Sequence, residues 1–212
     1  MDVVEFIKSF PLRDFSKGEV LLSADEEVDK ILVIREGIVK VSSLDDQGNE
    51  RLLWIAGRYD IVPTEGLFDR VTTTDYFYTA YCDGSAYVVS RDEFLEKSAQ
   101  HADIMFQVAR GLSEHHDDLL NRLNSVEQPN LRRKILFMLH ALCVKFSGAD
   151  SVKLHEIGLN LTHQDIADMV HATREATSIE MKKLLDEKLV KYTRTSFTVQ
   201  AKKIAEEIET PA

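Results

Sequence analysis

Four side chains between residues 174 and 182 have the types and spacing needed to read a nucleic-acid groove. Arg174, Glu175, Ser178 and Lys182 follow one another at intervals of one, three and four, so a helix would carry them on one side. An arginine near the start of such a helix can hold guanine O6 and N7 with two hydrogen bonds, and a glutamate can accept from cytosine N4. Ser178 can donate to or accept from either kind of base edge. Lys182, one turn further along, suits a backbone phosphate, as do Thr162, Gln164, Thr173 and Arg194 around it. An ordinary solvated face of mixed charge has the same composition, so the surrounding elements must decide between the two readings.

Those elements lie between Thr162 and Asp186, which read as two short helices joined by a tight turn. Ile166, Met169 and Val170 form the apolar side of the first helix. The His171-Ala172 pair breaks the pattern, and Thr173 can cap the next helix with its hydroxyl. The residue three further on is Ala176, so a full capping box is missing there. Thr177, Met181, Leu184 and Leu185 make the apolar stripe of the second helix. Upstream, Leu131 to Phe146 is a strongly apolar helix. Val152-Lys153-Leu154 and Leu159-Asn160-Leu161 suggest a two-stranded ribbon. Downstream, Leu189 to Gln200 alternates as a hairpin would, with Arg194 at its tip, and Lys202 to Glu209 suits a last short helix.

The first half of the chain has a different texture. Residues 1–14 begin with a short helix carrying Val3, Val4, Phe6, Ile7 and Phe10. Short apolar runs then alternate with turn signals up to about Ser90, the pattern of a β-barrel or sandwich. From His101 to Glu127 the period becomes helical. Met105, Val108, Leu112, His115, Leu119, Arg122 and Val126 alternate at three and four, a heptad seam suited to pairing two copies of the chain. Gln128-Pro129-Asn130 ends that helix and marks a hinge.

Charge separates the two halves. The net charge is −10, with residues 1–130 holding 13 Lys and Arg against 25 Asp and Glu, and residues 131–212 holding 13 against 11. The acidity therefore belongs to the β-rich part, and the part with the reading helix is slightly basic, at +2. Such a small surplus makes a doubled contact set, from a dimer, the expected route to affinity. No apolar run reaches the roughly 18 residues of a membrane span, and the start of the chain lacks the marks of a signal peptide. Cys82 and Cys143 make no disulfide framework and no zinc pattern, so a cytoplasmic location with free thiols is expected. No nucleophile–base pair or metal cluster suggests an enzyme.

Several motifs resemble the CRP/FNR family of bacterial transcription regulators. Thr173-Arg174-Glu175-Ala176-Thr177-Ser178 is similar to the family's T-R-E-T-V-S-R recognition helix. Leu161-Thr162-His163-Gln164-Asp165-Ile166-Ala167 is similar to its L-T-x-x-D-L-A segment. In the first half, Phe15-Ser16-Lys17-Gly18-Glu19 resembles F-x-K-G-E, the run Asp29 to Val41 resembles D-x-x-Y-x-I-x-x-G-x-V-K-V, and Asp46 to Arg51 resembles D-x-G-x-E-R. The resemblance implies an α+β chain in three parts: an N-terminal double-stranded β-roll that senses an effector over 1–100, a dimerisation helix and hinge over 101–129, and a C-terminal winged helix-turn-helix over 130–212. It implies palindromic double-stranded DNA and RNA polymerase as partners. Two positions depart from the pattern: His171 stands at the turn glycine, where a left-handed backbone is needed, and Ile179 replaces the final arginine.

The sensing region departs further. Relatives that bind cyclic nucleotides carry G-E-x-x-L followed, ten residues after the glutamate, by an arginine that pairs with the phosphate. One register puts Pro63 at the glycine, Thr64 at the glutamate and Thr74 at the arginine; the other uses Glu65 and puts Asp75 at the arginine. Neither supplies a cation, and a buried phosphate without a counter-charge is costly. The expected effector is therefore uncharged or apolar and lies among Trp54, Phe68, Thr74, Tyr76 and Tyr78, residues that would otherwise simply pack a core. No cysteine precedes Cys82, which excludes the family's iron–sulfur cluster. Haem is disfavoured, because no histidine precedes His101, and no cofactor is expected. A member that binds DNA without ligand control and a non-catalytic scaffold for a protein partner are the alternative functions.

Overall fold

A computed structural model describes residues 3–68, 72–147, 155–156, 159, 161–193 and 197–209. The chain forms two compact units, Met1–His116 and Asp117–Ala212.

In the first unit a short helix, α1 (Val3–Lys8), stops before Pro11 and leads into β1 (Leu12–Phe15), so the strands begin inside the range expected to open with a helix. Seven strands follow: β2 (Val20–Leu22), β3 (Lys30–Glu36), β4 (Val39–Leu44), β5 (Glu50–Ala56), β6 (Ile61–Val62), β7 (Phe77–Ala80) and β8 (Gly84–Ser90). They make two four-stranded antiparallel sheets, in the orders β1-β8-β3-β6 and β2-β7-β4-β5. Alternation along β3 decides which core each residue joins. Leu32 and Ile34 face into the roll with Val41, Trp54 and Tyr78, whereas Ile31 and Val33 face outward, onto Phe6, Ile7, Phe94, Ile104 and Val108. The β4–β5 hairpin is closed by Asp45, whose carboxylate accepts from the amides of Gln47 and Asn49 at 3.0 and 2.9 Å and from Arg51 at 2.7 Å. Those donors lower its pKa to about 2, the Asn49 amide most of all.

Two helices follow the roll. α2 (Arg91–Ala99), which the periodicity did not reveal, is capped by the Ser90 hydroxyl accepting from the Glu93 amide. α3 (Ala102–Val126) is the long helix expected from the heptad pattern, but its orientation differs. Val108 is 6% exposed inside the outer core, Leu112 packs against the same core, and the His115 ring lies 4.0 Å from Trp54. The expected seam of Met105, Val108, Leu112, His115, Leu119 and Val126 thus turns its first half toward its own roll. Leu119 of the expected seam is exposed, and Phe106, Leu120 and Leu123 are exposed beside it.

The second unit is built on α4 (Leu131–Ser147), whose Ile135, Leu136, Leu139 and Cys143 are fully buried. Against it lie α5 (His163–Val170), α6 (Arg174–Asp186) and α7 (Ala201–Glu209), with a three-stranded sheet in the order β10 (Val190–Tyr192), β11 (Phe197–Val199), β9 (His155–Glu156). The expected ribbon is therefore different: β9 adds a third strand to the hairpin, and Leu159 and Leu161 are buried outside any strand. Residues 152–154 lie outside the described residues.

Candidate functional site

The reading unit is assembled by local chemistry. Thr162 opens α5 with a full capping box: its hydroxyl accepts from the Asp165 amide at 3.1 Å, and the Asp165 carboxylate accepts from the Thr162 amide at 2.8 Å. α5 ends at His171, with φ 54° and ψ 52°, the left-handed conformation that the turn requires of a residue other than glycine here. The Arg122 guanidinium lies 3.2 Å from His171 Nε2. Thr173 then caps α6, its hydroxyl accepting from the Ala176 amide at 3.2 Å. Burial of Thr177, Met181 and Leu184 fixes the rotation of α6. Leu185, expected in that stripe, is instead part-exposed, and Glu180 takes its place at 8% exposure.

Glu180 is buried because Arg132 answers it. The Arg132 guanidinium reaches Glu180 at 3.3 Å, Glu187 at 2.5 Å and Glu207 at 2.6 Å, joining α4, the end of α6 and α7. Glu207, and then Glu187, raise the Arg132 pKa further above its ordinary value. The opposite side of α6 is thereby presented outward.

That outward side holds Arg174, Glu175, Ile179 and Lys182, all exposed. Ser178 is half-buried, and its hydroxyl lies 3.0 Å from His163 Nδ1. Thr162 and Thr173 are exposed beside the turn with their hydroxyls engaged as caps, and Gln164 donates to Asp168 at 2.7 Å. Arg194 lies outside the described residues. Ile179, which replaces an expected arginine, is 62% exposed in the middle of this face. Its spacing of four from Glu175 and three from Lys182 was the available signal, and an isoleucine there passes for a core residue. The His163 ring sits 5.3 Å from Tyr192 and braces α6 against the hairpin, a role that no local pattern signals. Burial, and then the charge of Arg174, lower the His163 pKa.

The expected effector residues fall differently. Thr74, Tyr78 and Trp54 are buried and Tyr76 half-buried, whereas Phe68 is 46% exposed. Thr74 and Tyr78 both donate to the Glu65 carboxylate, at 2.5 and 2.7 Å. A carboxylate therefore occupies the part of the roll where a phosphate would need a cation. Burial and Glu65 together hold the Tyr78 hydroxyl well above its usual pKa. Of the five, Trp54 alone lines a cavity of about 300 Å³ in this unit, which is bounded otherwise by α1, β3, β6, α2 and α3.

Residues 12–101 match the profile of the cyclic nucleotide-binding domain, and residues 134–203 that of the Crp-like helix-turn-helix domain. A CRP-like cAMP-activated global transcriptional regulator of Mycobacterium tuberculosis is 26% identical over 165 residues, covering 78% of this chain and 73% of that protein. FixK2 from Bradyrhizobium japonicum superposes with a TM-score of 0.78 at 12% identity, over 96% of this chain and 99% of that one. A doubly substituted variant of CooA from Carboxydothermus hydrogenoformans gives 0.75 at 19% identity, over 97% and 90%. The solved structures share the fold: an antiparallel roll, a long helix and a helix-turn-helix unit.

Proposed function

The chain belongs to the CRP/FNR family of DNA-binding transcription regulators, and on that premise we propose that it binds, as a homodimer, a palindromic DNA site under the control of an effector other than a cyclic nucleotide. The observation that carries the DNA reading is the outward face of α6. Arg174 and Glu175 stand in its first turn, Ile179 at its centre and Lys182 beyond, on a helix whose back is clamped by Arg132. In a major groove Arg174 reads a guanine, Glu175 a cytosine, and the exposed Ile179 meets a thymine methyl. Lys182 and the exposed Thr162, Gln164 and Thr173 approach phosphates, and Ser178 acts through His163 as much as through a base. Arg194 completes the phosphate contacts. Half-site centres lie about 34 Å apart.

Dimerisation is supported by Phe106, Leu120 and Leu123, which lie on one side of α3 at heptad spacing and are exposed in the single chain. Exclusion of cyclic nucleotides rests on Glu65, Thr74 and Tyr78, which satisfy one another inside the roll. The same hydrogen bonds favour, as the second reading, a regulator that binds DNA without any ligand.

A gel shift on a selected palindrome over a range of salt tests the DNA reading. Counterion release lowers log K by about 0.9 per neutralised phosphate for each unit of log salt. Arg174→Ala should relax the preference at one base pair of each half-site and cost about 1–3 kcal/mol there. Lys182→Ala should weaken all sequences alike. A flat salt dependence would point to a protein partner instead, and an unchanged motif in Arg174→Ala would remove the assigned contact.

A further inference from the structure

The cavity of about 300 Å³ lies on the outer side of the roll. Its floor is Val33 and Ile61, on the face of the sheet turned away from the roll interior, and its walls are Ile7 of α1, Phe94 of α2, and Ile104 and Val108 of α3. At a water-sized group per roughly 30 Å³, that space suits on the order of ten heavy atoms.

Two features mark it as built for an occupant. Arg58 stands at the mouth without a carboxylate partner among the described residues. Its guanidinium lies 4.7 Å over the Tyr59 ring and donates to the Tyr59 hydroxyl at 3.0 Å. The other charges at the mouth are engaged: Arg110 with Glu114 at 3.3 Å, and Asp60 with the Gly57 amide at 2.7 Å. Finally, Tyr59 has φ 71°, a left-handed backbone that is uncommon for an aromatic residue and that sets its exposed ring at the rim.

We propose that this outer cavity is an effector site, and that it takes an amphipathic carboxylic acid with its apolar chain against Val33, Ile61 and Val108 and its carboxylate on Arg58. An apolar body and a charge-assisted pair at the rim match the lining. The ligand would touch α1, the β5–β6 turn and α3 together, so occupancy bears directly on the helix proposed for dimerisation. The regulatory consequence rests on the reading of the chain as a transcription regulator; the binding itself does not.

Trp54 is the single tryptophan of the chain and lines the cavity, so its emission reports occupancy. The full chain is titrated with decanoate and with decanol, and DNA affinity without ligand is measured on the same preparation. Decanoate should give a saturable change in emission, with decanol at least tenfold weaker. Ile61→Phe, which enlarges a half-buried side chain on the cavity floor, should lower decanoate affinity at least tenfold. Arg58→Gln should bring decanoate down to the level of decanol. No saturable change, a change that Ile61→Phe leaves intact, or equal affinity for the two probes in the unaltered protein would overturn the assignment. Failure of the regulator reading would show separately, as loss of salt-dependent DNA binding with the decanoate titration unaffected.

Discussion

Replacing Arg132 by methionine tests what holds the reading helix in place. Arg132 joins three carboxylates on three elements, and they are not equivalent. Glu187 and Glu207 are 47% and 35% exposed, so each pair is screened and contributes about 0.5 kcal/mol. The Glu180 side chain is 11% exposed, and that of its other partner, Lys183 at 2.9 Å, is 59% exposed. Removing Arg132 leaves that carboxylate nearly buried with one solvated partner, a loss of about 1–3 kcal/mol. The sum is roughly 2–4 kcal/mol for Arg132→Met, confined to the second unit, with Arg132→Lys intermediate because it keeps the charge and loses the fork. Removing the stranded charge as well, in Arg132→Met with Glu180→Met, should recover at least half of the loss by letting two apolar groups pack. Hydrogen exchange of the α4 and α6 amides is the suitable assay, since Trp54 reports only the first unit. Arg132→Met within 0.5 kcal/mol of the unaltered protein, or a double variant worse than the single one, would refute the argument that a buried Glu180 is sustained by Arg132.

Three further outcomes are expected. Calorimetric titration with cyclic AMP and cyclic GMP should show no binding at physiological concentration. Loss of a charge-assisted pair and an amide donor, each about 1.5–3 kcal/mol, moves a micromolar site to about millimolar; a micromolar Kd would restore the nucleotide reading. Leu120→Glu should shift sedimentation from dimer to monomer, whereas Val108→Glu should unfold the first unit; the reverse pattern would return the seam to Val108. The second unit should lose stability below about pH 6.5. Burial lowers the pKa of both His140 and His163 from 6.5, with Glu209 opposing the shift at His140 and Arg174 adding to it at His163. The unfolded chain therefore takes up protons first as pH falls, and the contribution present above 6.5 disappears as pH drops through the lowered folded values. Denaturant midpoints for this unit that do not move between pH 7.5 and 5.5 would contradict that sign.

What was legible in the sequence was local. Caps, turns and periodicity act over a few residues, so the two helices of the reading unit, the Thr173 cap and the outward side of Arg174, Glu175 and Lys182 follow from spacing alone, while the left-handed His171 is implied by the resemblance to the family's turn. The alternation that built the roll is local in the same sense. The tertiary structure decided matters that depend on which surface a face meets. α3 carries two overlapping stripes, Met105–Val108–Leu112–His115 and Phe106–Leu120–Leu123, one residue apart, and only the position of the outer core chooses between them. Glu180 reads as a solvated charge until Arg132, 48 residues earlier in the chain, is brought beside it. The aromatic residues of the sensing region have the composition of a pocket, yet Thr74 and Tyr78 are tied to the Glu65 carboxylate. The described cavity lies among α1, α2, α3 and the outer face of β3. A cavity is the gap left among several packed elements, so no single stretch of chain encodes it, whereas a helix face is encoded by its own repeat.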